Sequence, residues 1–345
     1  MTTLVRLPNW VGDAVLALPA LEGLVATGDS LVLAGRALPL EIVAHLAPGA
    51  RREQLRRGRG AGLSAWGAAR ALRAMRIDRA VLLTPSLSAG LMACLAGIPE
   101  RIGWSEQGRG PLLTRRLERP VRGTMHICKE FQTVARAAGA GAFPATPLLP
   151  PDLPASREAQ AYLRKLAPEP GAGRPRRRLA LCPGVNYGWA KQWPAERFRE
   201  VREIAEERGW GGVVLGSAAE RGLADEVLAG AGPRWGSAAG EGSLRFAAEL
   251  LRICDAAVCN DTGSMHLAGA VGTPLAAVFG PSEPAWTGPL GTRQRVLRGS
   301  CACAPCYRRT CEQGHPAPCM LAVTAQDVVQ ALEDLIEREG AGDGS

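Results

Sequence analysis

The sequence is poor in lysine, in aromatic residues and in long apolar segments. Its only lysines are Lys129, Lys165 and Lys191, and Phe, Trp and Tyr together make up 5% of the chain. No apolar run approaches the roughly 20 residues that a membrane-spanning helix needs, which argues against a transmembrane protein. The opening residues, TLVRLPNW, show neither the basic region nor the apolar core of a secretion signal, so we expect a cytoplasmic protein.

The formal net charge of +8 is carried almost entirely by arginine and indicates an anionic partner. Nucleotide phosphates, a phosphorylated glycolipid, a membrane surface and nucleic acid all fit that description. The sequence shows no aromatic stripes and no nucleic-acid-binding motif, so we expect no nucleic-acid partner. The three glycines of the dinucleotide fingerprint G-x-G-x-x-G are also missing after the first strand.

Apolar segments of strand length alternate with amphipathic segments of helical period along the chain. Strands are predicted at Leu4–Pro8, Leu31–Gly35, Arg79–Leu83 and Ala256–Asn260. Helices are predicted at AVLALPALEGLVA (14–26), Trp66–Arg76, Ser88–Gly97, Ala195–Gly209 and Thr324–Glu339. Such alternation is typical of α/β proteins, in which helices cover both faces of a parallel sheet.

The alternation breaks once, at Pro168–Arg178, where Pro, Gly and Arg dominate. This composition favours an irregular connection over helix or strand. The sequence therefore predicts two α/β domains, residues 1–170 and 171–345, with packing of the last helix back onto the first domain as an option.

The stretch NDTGSMHLAGAV places polar residues where a buried strand ends and a helix begins. The first backbone N–H groups of a helix have no partner within it and can hold an anion. Gly263 would let a ligand approach the backbone closely, and His266 would add a donor in the first turn. The alternative is a plain helix capped by Thr262 or Ser264, with His266 solvated or bonded in the core.

A second polar stretch, CPGVNYGWAKQWP (182–194), follows another predicted strand. Lys191 stands there among neutral residues, which suggests a need for a compact, mobile ammonium that would suit a phosphate. The alternative is a surface loop in which Trp189 and Trp193 pack on the domain while Lys191 is solvated.

A third stretch, RLPNWVGDAV (6–15), links the first strand to the first helix. Gly12 permits a tight turn there. Asp13 would act as a helix cap, or its carboxylate would accept a proton from a hydroxyl group. The three stretches lie at predicted carboxyl ends of strands, where open parallel sheets bind ligands. A cleft between two such domains would bring them face to face, as a nucleotide-sugar transferase requires.

Four motifs, in this order and spacing, closely resemble the ADP-heptose:lipopolysaccharide heptosyltransferases, type II in particular. They are RLPNWVGDAVLALPAL, PGVNYGWAKQWP, NDTGSMHLAGAVGTPLAAVFGPSEPAWTGPLG and CAPCYRRTCEQGHPAPC. The resemblance implies the GT-B fold, an α/β architecture of two Rossmann-like lobes with parallel sheets facing across a cleft. It also implies an inverting transfer of heptose from ADP-heptose to the lipopolysaccharide inner core that needs neither metal nor cofactor. The enzyme would touch the inner face of the cytoplasmic membrane peripherally.

The resemblance assigns roles by position. Asp13 lies at a position that resembles the family's general base, with Asn9 and Gly12 on the acceptor side. Lys191 lies at a position that resembles the family's residue for stabilising the leaving ADP. The remaining donor-binding positions that match the family are Asn186, Tyr187, Asp261, Thr262, Gly263 and His266.

Two parts of the family pattern are indistinct. Glu220 is the nearest candidate for a ribose-binding acid, and the Arg-rich stretch Arg51–Gly60 either meets acceptor phosphates or is a solvated loop. The alternatives to heptose transfer are a related transferase with a different glycan or protein acceptor, and a nucleotide-sugar-binding relative without catalysis.

Half of the ten cysteines crowd near the end of the chain. Cys303, Cys306, Cys311 and Cys319 could hold a structural zinc ion, although their spacing fits no standard finger. A cytoplasmic location argues against stable disulfides. The segment is interpreted as a structural clasp, with its chemistry left open and no role in catalysis.

Overall fold

The computed structural model describes residues 1–55, 61–166 and 177–340. By its internal contacts the chain divides into two compact units, Met1–Pro147 and Leu148–Ser345. The predicted linker, Pro168–Arg178, lies outside the described residues except at its last two positions.

The first unit is built on a parallel sheet of six strands in the order β3-β2-β1-β4-β5-β6. The strands are β1 (Thr2–Arg6), β2 (Ser30–Gly35), β3 (Arg51–Gln54), β4 (Arg79–Leu82), β5 (Glu100–Trp104) and β6 (Arg115–Leu117). The helices are α1 (Val11–Leu16), α2 (Leu18–Val25), α3 (Ala37–Val43), α4 (Ala61–Arg73), α5 (Leu87–Leu95) and α6 (Ile127–Ala137).

The second unit repeats this architecture with the strand order β12-β11-β10-β7-β8-β9. The strands are β7 (Arg178–Cys182), β8 (Gly211–Val214), β9 (Trp235–Ser237), β10 (Ala256–Asn260), β11 (Leu275–Phe279) and β12 (Gln294–Arg298). The helices are α7 (Leu153–Lys165), α8 (Ala195–Glu207), α9 (Arg221–Leu228), α10 (Leu244–Ile253), α11 (Gly263–Val271), α12 (Pro284–Thr287), α13 (Pro318–Leu321) and α14 (Ala325–Gly340).

Both sheets are held together by their central strands, which are apolar and buried. In β10 and β11 every residue is buried, because helices cover both faces of a parallel sheet and leave no solvated side. In the first unit, Leu4 of β1 and Leu82 of β4 pack with Leu72 of α4 and Met92 of α5. The predicted parallel α/β architecture is confirmed.

The strand order fixes where a ligand can bind in each unit. The order reverses between β1 and β4 in the first unit and between β7 and β10 in the second. At such a switch point the connections on the two sides run to opposite faces of the sheet, and a crevice opens outside the carboxyl ends of the strands. The loops after β1, β4, β7 and β10 therefore border the expected ligand-binding crevices.

The division between the units falls before α7, whereas the sequence prediction placed it at 170/171. Helix α7 packs against α10, with the Tyr162 ring edge-on to Phe246 at 5.7 Å, so it belongs to the second unit. Helix α14 packs against α8 and the β10, β11 and β12 strands of the second unit. Five prolines lie just before or at the start of α7, at positions 144, 147, 150, 151 and 154, and the sequence analysis did not use them as a boundary.

Two further expectations are corrected. The single helix predicted over residues 14–26 is two helices, α1 and α2, since Pro19 has no N–H for a continuous helical ladder. The stretch Arg51–Gly60 is not wholly a loop, because Arg51–Gln54 forms the edge strand β3, and residues 56–60 lie outside the description. In the described part of the chain, no helix combines the length and apolar character of a membrane span.

Candidate functional site

Lys191 and Asp261 form an ion pair at the carboxyl ends of two central strands of the second unit. Lys191 ends a 3-10 turn, Trp189–Lys191, in the loop after β7, and Asp261 directly follows β10. The Lys191 Nζ atom lies 2.5 Å from Asp261 Oδ2, and the two side chains are 14% and 5% exposed. The loops that leave the switch-point strands thus meet in a salt bridge. Lys191 is not the solvated residue of the surface-loop alternative.

The carboxylate of Asp261 also receives a donor from a third strand end. The hydroxyl of Ser282, in the loop after β11, donates to the same Oδ2 atom as Lys191. Ser282 is buried, and the sequence analysis did not identify it. Two donors on one oxygen fix the orientation of the carboxylate. Asp261 therefore balances the charge of Lys191 locally.

The N-terminus of α11 lies beside this pair. Thr262 occupies the capping position, but its side chain makes no capping hydrogen bond. The expected cap by Thr262 is therefore absent, and the N–H groups of the first turn receive no acceptor from its side chain. His266 is buried in that same turn.

A buried amide connects the two loops. Asn260, the last residue of β10, donates from Nδ2 to the carbonyl of Pro183 at 2.7 Å and accepts at Oδ1 from the N–H of Trp193 at 3.2 Å. The Trp193 ring is fully buried and donates to the carbonyl of Val323. The prediction that Trp193 packs on the domain is confirmed, and Asn260 is a positioning residue that sequence reasoning missed.

Below the pair, two thiols occupy neighbouring strands. Cys182 of β7 lies opposite Cys259 of β10, and both are buried free cysteines. A hydrogen bond to Cys259 and burial raise the pKa of Cys182 well above its ordinary value. The two residues are thus small core side chains, as their apolar surroundings predict.

Glu220 lies at the same end of the sheet. A Cβ atom at Gly184, two residues past β7, would lie 2.8 Å from Glu220 Oε2 and still closer to Oε1, so the carboxylate packs directly against the backbone of this glycine. Glu220 also accepts from the N–H and hydroxyl of Ser217, at 2.6 and 2.8 Å. It caps its own turn and presents its second oxygen at the end of β7.

Tyr187 contacts a distant part of the chain, whereas its neighbour Asn186 is exposed. We call residues Cys301–Cys319 the cysteine segment. The Tyr187 hydroxyl donates to the carbonyl of Tyr307 in this segment at 3.2 Å. The Tyr187 ring lies 5.1 Å from Lys191 Nζ and 4.9 Å from the guanidinium carbon of Arg309. The sequence analysis did not predict that this segment reaches the site.

The sulfur atoms of the cysteine segment do not form a cluster of ligands. Cys301 Sγ and Cys303 Sγ lie 3.2 Å apart, and all five cysteines are free thiols. Among the described residues, no three His, Cys, Asp or Glu side chains are arranged to hold a metal ion. The zinc interpretation of Cys303, Cys306, Cys311 and Cys319 therefore finds no support in the geometry.

In the first unit, the loop after β1 carries the predicted acceptor residues. Asp13 is half-buried in the first turn of α1, next to the buried Gly12. Asn9 accepts at Oδ1 from Arg6 Nη2 at 2.7 Å. Burial and the nearby Arg36 lower the pKa of Arg6 to about 10. Asp13 thus lies in a loop braced by a buried arginine.

Comparison with known proteins agrees with this architecture. The solved structure of the E. coli ADP-heptose lipopolysaccharide heptosyltransferase II matches with a TM-score of 0.79 and 26% identity, covering 99% of this chain and 100% of that one. An E. coli heptosyltransferase solved with ADP shares the fold at 18% identity, with a TM-score of 0.67 over 97% and 99% of the two chains. The fold and site define a glycosyltransferase of the GT-B class.

Sequence comparison narrows the class. The profile of glycosyltransferase family 9 (heptosyltransferase) matches residues 66–316. Lipopolysaccharide heptosyltransferase 2 of Salmonella typhimurium is 32% identical over 279 residues, which are 78% of each protein. This chain belongs to glycosyltransferase family 9, and the predicted resemblance is confirmed.

Proposed function

We propose that the protein transfers heptose from ADP-heptose to the inner core of lipopolysaccharide, with inversion at the anomeric carbon and with neither metal nor cofactor. The observation that carries the proposal is the Lys191–Asp261 pair beside the N-terminus of α11, at the switch point of the second unit. An ammonium and unpartnered helix N–H groups in one place suit a diphosphate. The Salmonella relative is named for this activity.

The second unit would bind the donor. Lys191, His266 and the backbone at Thr262 and Gly263 would surround the diphosphate, while Asn186 and Tyr187 would border it from the loop after β7. Negative charge grows on the departing diphosphate as the glycosidic bond breaks. Fixed donors aimed at that charge lower the barrier more than they tighten ground-state binding.

The nucleoside end of the donor would extend toward Glu220. Its carboxylate lies at the end of β7, against the backbone of Gly184. A carboxylate oxygen accepts hydrogen bonds, so it suits the hydroxyl groups of a ribose. Asp261, held by Lys191 and Ser282, would accept from hydroxyl groups of the sugar.

The first unit would supply the base. The acceptor oxygen attacks the anomeric carbon, its proton passes to the carboxylate of Asp13, and the electron pair of the breaking C–O bond leaves with ADP. A positioned general base typically adds about 10² to 10⁴ in rate. Asn9 and Gly12 would shape the acceptor side of the same loop, which Arg6 holds in place.

The acceptor determines where the enzyme would work. A lipid-linked core is embedded in a bilayer, so the protein would act at the inner face of the cytoplasmic membrane as a peripheral protein. A net charge of +8 would favour an anionic lipid surface.

The test is incubation of purified protein with ADP-heptose and a panel of truncated lipopolysaccharide cores, read by mass spectrometry. We expect one heptose to be added to an inner-core acceptor and ADP to be released. Transfer only to another glycan or to a protein would replace the acceptor in the proposal. Binding of ADP-heptose without transfer to any acceptor would favour the non-catalytic alternative.

A further inference from the structure

We propose that Arg309 of the cysteine segment is a further donor-binding residue, which contacts the diphosphate together with Lys191. The inference rests on the proposed function, because it assumes that the donor diphosphate binds beside Lys191. Its starting observation is that the Lys191 and Arg309 side chains lie against one aromatic ring, that of Tyr187.

The distances place two cations together. Lys191 Nζ and the Arg309 guanidinium carbon lie 5.1 and 4.9 Å from the centroid of the Tyr187 ring, so they can be no more than about 10 Å apart. Adjacent phosphates of one ligand could meet both cations after a small movement of the long, exposed arginine side chain. An arginine fork binds phosphate oxygens in pairs and complements a mobile ammonium.

The charge balance of the site calls for a second cation. The charge of Lys191 is already matched by Asp261 at 2.5 Å, so this pair alone offers little net positive charge to a diphosphate. Within the described ranges, no carboxylate lies within 4.0 Å of the Arg309 guanidinium. The adjacent Arg308, by contrast, is paired with Glu312. Arg309 is thus the cation of this segment that remains available for an anionic ligand.

The backbone of Arg309 is held firmly against the loop that carries Lys191. The Arg309 carbonyl accepts from the N–H of Ala190 at 3.1 Å. A Cβ atom at Gly188 would lie 2.8 Å from Arg309 Cα and still closer to its carbonyl, so the two backbones touch. Tyr307 adds a third tie, since its N–H donates to the carbonyl of Pro281 at 2.7 Å. The side chain of Arg309 therefore starts from a fixed point beside the site.

The experiment measures binding of ADP, AMP and adenosine by calorimetry to the wild type, Arg309→Gln and Arg309→Lys, with Arg308→Gln as the matched control. In Arg309→Gln we expect ADP to bind about 10-fold more weakly or worse, adenosine to bind as before, and AMP to fall between them. Arg309→Lys keeps the charge and should recover part of the loss. Arg308→Gln should match the wild type, because its side chain is engaged by Glu312.

The ratio of ADP to adenosine affinity is the decisive quantity, since it is insensitive to the fraction of folded protein. An unchanged ratio in Arg309→Gln, with wild-type protein binding ADP, overturns the role of Arg309 and leaves the proposed function standing. An equal loss for ADP and adenosine also overturns it, because the contact is then not to phosphate. Failure of the wild type to bind ADP removes the proposed function itself.

Discussion

The two units have the same sheet and differ in what their switch points carry. In each, six parallel strands follow the same order, with the reversal between the first and fourth strands of the unit. The second unit places a salt bridge beside the start of a nine-residue helix there, whereas the first places Asp13 in a six-residue helix beside a buried arginine. Topology fixes where a ligand can bind, and the loop residues decide which chemistry occurs.

The difference predicts that variants in the two units fail in different ways. A residue that removes a proton is needed only for the chemical step. A residue that neutralises a diphosphate is needed both to bind the donor and to release ADP. Turnover and ADP affinity, measured on the same variants, therefore separate the two roles.

The largest effect is expected in the first unit. Asp13→Ala should lower turnover by about 10² to 10⁴ and leave the ADP dissociation constant nearly unchanged, because the general base acts on the acceptor. Asp13→Asn, which keeps the shape of the side chain, should be as inactive. Turnover by mass spectrometry and ADP affinity by calorimetry check both expectations. Full activity in Asp13→Ala would remove its role as base.

The next effect is expected in the second unit. Lys191→Ala should lower turnover by about 10² and also weaken ADP binding by about 10-fold, because it removes a cation from the leaving group and leaves Asp261 unpaired. Lys165→Ala, at an exposed position of α7, is the matched control. If Lys191→Ala lowered turnover but left ADP affinity unchanged, Lys191 would not have the proposed role in binding the donor.

A smaller effect is expected from the contact between the cysteine segment and the loop after β7. Gly188→Ala places a methyl group against the Arg309 backbone, which must shift at a cost of about 1–3 kcal/mol. Because the loop ends in Lys191, ADP affinity should fall together with stability. Gly222→Ala in α9, where a Cβ atom meets nothing within 4 Å, is the control. Denaturant unfolding and calorimetry provide the readouts, and equal stability of the two variants would contradict the prediction.

The sequence predicts the parts of this site that follow buried strands. The bounds of β10, Ala256–Asn260, agree with the prediction because a strand covered on both faces is a continuous apolar run. Asp261 and the start of α11 follow directly from it. Edge strands such as β3 (RREQ) and β6 (RRL) could not be predicted, since they are short and polar.

Contacts between residues that are far apart in the chain also could not be predicted from the sequence. The Lys191–Asp261 pair joins residues 70 apart, and the bond from Tyr187 to Tyr307 joins residues 120 apart. Spacing along the chain identified Lys191 and Asp261 separately, at two strand ends. Only the fold shows that they form a pair. It also shows that the cysteine segment, interpreted from the sequence as a structural clasp, brings Arg309 against the Tyr187 ring beside Lys191.

The smallest effect is expected at two thiols of the cysteine segment, Cys301 and Cys303. It is a difference in the rate at which they are alkylated. Hydrogen bonds from the backbone and side chain of Cys303 lower the pKa of Cys301, whereas the hydrogen bond to Cys301 raises the pKa of Cys303 to about 11. A lowered pKa means that the thiolate forms at lower pH, so iodoacetamide should alkylate Cys301 before Cys303 as pH rises from 7 toward 9. Peptide mass spectrometry at several pH values measures both rates. In Cys303→Ala the side-chain donor is gone, and the alkylation profile of Cys301 should move to higher pH. Equal rates at the two thiols would mean that they do not share a hydrogen bond.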